Sequence, residues 1–449
     1  MITASGLLDV ESMTGRSKFV VDLISIPVFS GIAGLVTNWT GVIMLFSPVR
    51  FRGFRCPGVK SLFPFLPRRI QVLPIFAPGG ILGFQGFIPA RAERMASICV
   101  DKGLTKLGSI RDFTAEFQPE VIAAQLAVVA RPQVPDMVDE IMRREHPELW
   151  AQCPPQLREF VHHRVLARLP EITRHAMAAI EQNIDDLIDV KLMVVGRLRR
   201  DPAILCGIIR GLGAEELRFM TAIGFWLGLP LGLELALFLD RATNLPLLRA
   251  VPRWGIVVVG ASLIGIIVNV VAIKMVFEPA DPAPRYRYPW RQAKLARRQH
   301  EAAASFGRSL AHEVITMPNI LTELISGPRS DKTRVIIAGV MAREVDRIVG
   351  PTRMLVRAAV GEDHFEAIRV SSTQPAIEVA RGLRDDLEFT ERQAGKIDAF
   401  CTEGLRELPP AEFMELLYSA VEQDAWLLYA HGGFLGLFVG VIHLAIFGG

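Results

Sequence analysis

Apolar positions gather in four long runs, Phe19–Pro48, Leu217–Leu239, Trp254–Phe277 and Ala425–Phe447, with most charges crowded between them. Each run is near the ~20 residues needed to cross a bilayer. The third, WGIVVVGASLIGIIVNVVAIKMVF, has one charge, Lys274, near enough its end for the ammonium to reach the interface. The second contains Glu234, and the fourth contains His431 and His443. One apolar run of this length could be a core helix of a soluble protein, but four in one chain argue for membrane helices. Between the runs the period becomes helical: Met177, Ile180, Ile184, Leu187, Ile188, Leu192, Val195 and Leu198 recur at three- and four-residue steps, a single apolar stripe. Breaks are expected at Arg131-Pro132, Cys153-Pro154-Pro155 and Gly327-Pro328, and strand patterns are weak throughout.

These patterns predict an all-α integral membrane protein. Its order is a tail (1–18), membrane segment 1 (19–48), an insertion rich in Phe, Arg, Pro and Gly (49–87), and helical domain 1 (88–216). Membrane segment 2 (217–239), an outer loop (240–253) and membrane segment 3 (254–277) follow, then helical domain 2 (278–424) and membrane segment 4 (425–447). Arg50, Arg52, Arg55, Lys60, Arg68 and Arg69 follow segment 1, and a second basic group from Arg285 to Arg298 follows segment 3. By the positive-inside bias the helical domains are expected in the cytoplasm.

The sequence also reads as two tandem repeats, each a membrane helix, a cytoplasmic amphipathic helical domain and a second membrane helix. GLVTNWTGVIMLFSP (Gly34–Pro48) aligns without gaps on GIIVNVVAIKMVFEP (Gly265–Pro279), pairing Asn38 with Asn269 at an offset of 231. IPARAERMA (Ile88–Ala96) matches YPWRQAKLA (Tyr288–Ala296) at an offset of 200, which gives the first copy 31 extra residues, 231 less 200. Gly196–Gly232 runs along Gly404–Gly440 at an offset of 208 and pairs Gly224, Gly228 and Gly232 with Gly432, Gly436 and Gly440. Glycines at this spacing share one helix face and admit a second backbone closely, so these six are expected helix-packing positions. Asn38 and Asn269 place an amide in an apolar helix, where an interhelical hydrogen bond is the plainer expectation and a substrate contact the alternative. Asp201 before Pro202 has the form of an N-cap; Pro409-Pro410 keeps only the proline.

TNWxxxxMLFxP, GFQGFIPARAERMA (Gly83–Ala96) and PPAEFMELLYSAVEQDAWLLYAHGGFLGLFVG (Pro409–Gly440) together resemble the bacterial membrane family known as domain of unknown function 445. The resemblance covers nearly the whole chain. It implies a bacterial inner-membrane protein with a long helical domain and no established activity. The second copy departs from the pattern, with Val268-Asn269-Val270 in place of Thr-Asn-Trp.

Charge and chemistry narrow the picture less. Net charge is +3 over 449 residues, which argues against nucleic acid as partner. Five scattered cysteines without CxxC give no zinc or disulfide framework, and no cleavable signal peptide is expected at the N-terminus. Gly327–Thr333 is one residue short of a phosphate loop and lacks the glycine before Lys332. His162-His163 and His312-Glu313 lack metal-ligand spacing. No catalytic, cofactor-binding or metal residues are assigned, and no specific small molecule is identifiable. Glu234 is an intramembrane acid and so a functional candidate by default. Arg50, Arg52, Arg68, Arg69 and Lys274 are membrane-interface candidates, with the insertion either in the headgroup layer or folded over the helical domain. The leading expectation is a non-enzymatic scaffold or a protein that binds lipid or a partner, the bilayer and a second protein or second copy being the partners considered. A transporter or pore comes second, and a membrane-bound enzyme third.

Overall fold

The computed structural model describes residues 18–55, 74–77, 81–242, 251–284, 290–419, 422 and 425–448. The tail, the outer loop between 243 and 250, and Arg68, Arg69, Arg285 and Arg287 lie outside these residues. The longer helices in chain order are α1 (Lys18–Phe46), α2 (Val134–Glu145), α3 (Pro155–Gln182), α4 (Ala214–Ala242), α5 (Arg253–Phe277), α6 (Ser330–Val349), α7 (Leu387–Glu407) and α8 (Ala425–Phe447). Four of them, α1, α4, α5 and α8, are long and apolar enough to cross a membrane. No more than 39% of any of the four apolar windows is buried inside protein. Their outward faces carry Ile32, Trp39, Trp226, Leu263, Phe434 and Phe438, all exposed, a surface that suits lipid rather than water.

The chain forms two compact units and crosses between them four times. One unit comprises residues 1–99, 198–302 and 407–449; the other comprises 100–197 and 303–406. The four apolar helices belong to the first. Within it α1 pairs with α4 and α5 with α8, while α4 also packs on α5 and α1 on α8. Leu235, Leu239, Val257, Ile264 and Val268 close the centre of this bundle. The second unit draws on both helical stretches of the sequence. Its largest buried side chains include Phe113, Phe117, Phe389 and Ile397.

Two features differ from the patterns of the sequence. The insertion holds a three-stranded antiparallel sheet in which β1 (Arg52–Arg55) and β2 (Phe76–Ala77) flank β3 (Ile81–Phe84). Gly53 and Gly83 face each other there, and a Cβ on Gly83 would strike the Arg52 carbonyl, so the strands close on glycine rather than on a β-branched pattern. The stripe from Met177 to Leu198 is not one helix. α3 ends at Gln182 with Asn183 as its C-cap, a single turn covers Ile184–Leu187, and a new helix starts at Val190. Met177, Ile184, Leu187 and Leu198 are buried, but Leu192 is 53% exposed. The breaks at Pro132, Pro154-Pro155 and Gly327-Pro328 separate helices, and Asp201 caps Pro202–Leu212 by accepting the Ala203 N–H at 3.2 Å.

Candidate functional site

The glycine faces lie inside the two antiparallel pairs. In α1·α4 a Cβ on Gly34 would meet the Gly224 carbonyl and one on Gly224 would meet the Gly34 carbonyl. In α5·α8, Gly265 and Gly432 stand in the same reciprocal relation. Gly228 faces the Ser30 carbonyl and Gly232 faces Pro27, while Gly436 faces the Ala261 carbonyl and Gly440 faces Val258. Backbones this close leave no room for a side chain. Beside each contact a buried amide is used up: Asn38 Nδ2 donates to the Met220 carbonyl, and Asn269 Nδ2 donates to the Leu428 carbonyl at 2.5 Å. The amides act as interhelical links.

The other candidates lie apart. Glu234 is exposed on α4, and Arg50, Arg52 and Lys274 are exposed near the ends of their elements. Beyond α1, the Gly86 N–H donates to the Pro48 carbonyl and Gln85 Nε2 to the Val49 carbonyl. Beyond α5, the Ala293 N–H donates to the Pro279 carbonyl and Gln292 Nε2 to the Ala280 carbonyl. Four-residue helices follow in both places, Phe87–Ala90 and Lys294–Arg297. This geometry pairs Gln85 with Gln292, an offset of 207, seven residues from the register of the IPARAERMA match.

A polar seam, unassigned from the sequence, joins α1 to α8. Ser25 Oγ and His443 Nε2 are 3.0 Å apart, as are Thr40 Oγ1 and His431 Nε2. Asp22, buried, pairs with Arg253. The positions matching Ser25 and His443 at offsets of 231 and 208 are Ile256 and Leu235, which are apolar. Two small cavities lie in this bundle, of ≈ 20 and ≈ 10 Å³. Each holds about one water at most.

The second unit contains a far larger space, an apolar cavity of ≈ 510 Å³. That lies within the 300–1,000 Å³ usual for ligand sites. Phe160, Leu169, Ile172 and Met177 of α3 line one side, and Ile337, Met341 and Ile348 of α6 line another. Comparison of the chain with family models, with curated proteins and with solved structures gives no match. Its chemistry therefore rests on the cavity walls. Three buried polar atoms on lining residues have no hydrogen-bond partner among the described residues: Glu344 Oε2, Thr333 Oγ1 and Trp150 Nε1. Glu344 is only 1% exposed, and its Oε1 takes His175 Nδ1 at 2.9 Å and the Arg347 guanidinium.

Among the described residues, reactive groups elsewhere are sparse. Burial pushes the Cys206 thiol up to about 11 and the Cys401 thiol up to about 12, so neither is a thiolate at neutral pH. Among the described residues no three His, Cys, Asp or Glu side chains converge as a metal site. His162 pairs with Asp139 at 2.8 Å.

Proposed function

We propose that this chain is a non-enzymatic, lipid-binding protein of the bacterial inner membrane, kin to the family known as domain of unknown function 445. In this reading four helices anchor it in the bilayer and its helical unit, on the cytoplasmic side, holds an apolar molecule. The observation that carries the reading is the ≈ 510 Å³ apolar cavity. An apolar space of that size keeps water against hydrocarbon side chains when no ligand fills it, a cost that an apolar ligand removes. The reading also takes the chain as a duplication. It is supported by the paired Gly34–Gly224 and Gly265–Gly432 contacts, the paired asparagine links, and the junctions built alike at Gly86 and Ala293.

Lipid extraction from the purified full chain in nanodiscs tests it. About one apolar molecule per chain is expected beyond the disc lipid, and Ile337→Trp, which sets a bulky ring in the cavity wall, should lower that yield severalfold. A wild-type yield no greater than that of Ile337→Trp would sink the reading.

The second reading, a transporter, draws on the polar seam of Ser25, Thr40, His431 and His443. The two cavities described beside this seam are small, ≈ 20 and ≈ 10 Å³. Reconstituted flux that falls with Thr40→Ala or His443→Phe would favour it over the lipid-binding reading.

A further inference from the structure

Resting on the lipid-binding reading of the same cavity, we infer that its ligand is a single-chain amphiphile with a neutral hydroxyl, which donates to Glu344 Oε2.

Shape sets the chain. The lining residues of α3 run from Leu157 to Ile180, 23 steps or roughly 34 Å at 1.5 Å per residue. Along α6 they run from Thr333 through Ile337, Met341 and Glu344 to Ile348, one face of the helix. A space of ≈ 510 Å³ drawn out over that length is narrow. It suits one extended hydrocarbon chain better than a compact molecule.

Glu344 sets the polar group. A carboxylate only accepts hydrogen bonds, and Oε1 is already served by His175 and Arg347. Oε2 is buried with no partner, so the unmet need at this point is a donor. The charge, by contrast, is already offset by Arg347 beside it. A fatty-acid carboxylate would bring a second negative charge to Glu344, and a hydrocarbon would leave Oε2 unmet. A hydroxyl supplies the donor and adds no charge.

The position of Glu344 fixes the place of the hydroxyl. It lies four residues from Ile348, whose carbonyl accepts from Arg164 Nε at 2.6 Å. Arg164 and Phe160 line this end of the cavity and are exposed, as is Leu157. The hydroxyl therefore sits beside Glu344 and His175, with the exposed Phe160 some fifteen residues away along α3.

Photolabelling of the full chain in nanodiscs tests this, with three diazirine probes of equal length: a monoacylglycerol, a fatty acid and a hydrocarbon. The monoacylglycerol should label peptides of 155–182 and 330–349 about tenfold more than the hydrocarbon, a ratio one charge-assisted hydrogen bond can supply. Glu344→Leu should reduce it to the hydrocarbon level while hydrocarbon labelling persists, which also reports that the cavity remains folded. If Glu344→Leu does not fold, Glu344→Gln should cut the preference severalfold. Monoacylglycerol labelling no better than hydrocarbon or fatty acid, or a preference that survives both substitutions, overturns the hydroxyl assignment and leaves the cavity reading standing. Absence of cavity labelling by every probe overturns both.

Discussion

Gly224 and Gly207 occupy helix interiors in quite different surroundings, and substitution should separate them. A Cβ at Gly224 would meet the Gly34 carbonyl and Asn38 Nδ2, whereas one at Gly207 would meet nothing within 4 Å. Gly224→Ala should lower stability by about 1–3 kcal/mol as backbones are forced apart. Gly207→Ala should raise it by roughly 0.4–1 kcal/mol by restricting the unfolded chain. Denaturant titration of the detergent-solubilised protein measures both. A residue-scale pH effect is expected at Glu145. A hydrogen bond from Ser371, then one from Arg144, holds its carboxyl below the ordinary range. A depressed carboxyl contributes stability above its unfolded value, about 4.3, and loses it as pH falls through the folded value. NMR titration of Ser371→Ala should show the Glu145 carboxyl shifted upward, and an unchanged titration would contradict the assignment. The packing glycines and both asparagines were legible in the sequence through their repeated spacing. The Asn38 and Asn269 acceptors were not, because a backbone carbonyl has no residue signature.

At the scale of elements, the Asp22–Arg253 pair joins the starts of α1 and α5. The two residues are 231 apart, the offset that also aligns Gly34 with Gly265, and they carry opposite charges that meet each other. Arg253 is one-third exposed, so breaking this pair from one side costs less than the about 3–5 kcal/mol of a fully buried one. Asp22→Asn should destabilise the bundle by less than that, and the exchange Asp22→Arg with Arg253→Asp should restore most of the loss in thermal unfolding. An exchange as damaging as the single change would exclude a direct pair. Apolar run length located α1, α4, α5 and α8 to within a few residues, since twenty uninterrupted apolar residues have few other uses. It failed on the insertion, where strands of two and four residues rely on glycine contact and backbone pairing. It failed again beyond Met177, where the apolar period continues through Asn183 although the helix does not.

At the scale of the molecule, both halves of the sequence meet in one helical unit, and this is why the cavity could not be read beforehand. Its walls come from residues 126–180 and 321–380, and its apolar wall residues fit ordinary amphipathic core faces. Only the fold shows that these faces stand apart and leave a space. The buried Glu344 sits unmarked in the run Ala342-Arg343-Glu344-Val345, indistinguishable by sequence from a solvated helix position. The central claim is that an apolar molecule occupies this space. Cryo-electron microscopy of the full chain in native-lipid nanodiscs measures it directly. The account predicts elongated non-protein density along α3 and α6, ending beside Glu344. Walls closed on one another, or an open cavity with no density beyond ordered water, would contradict it.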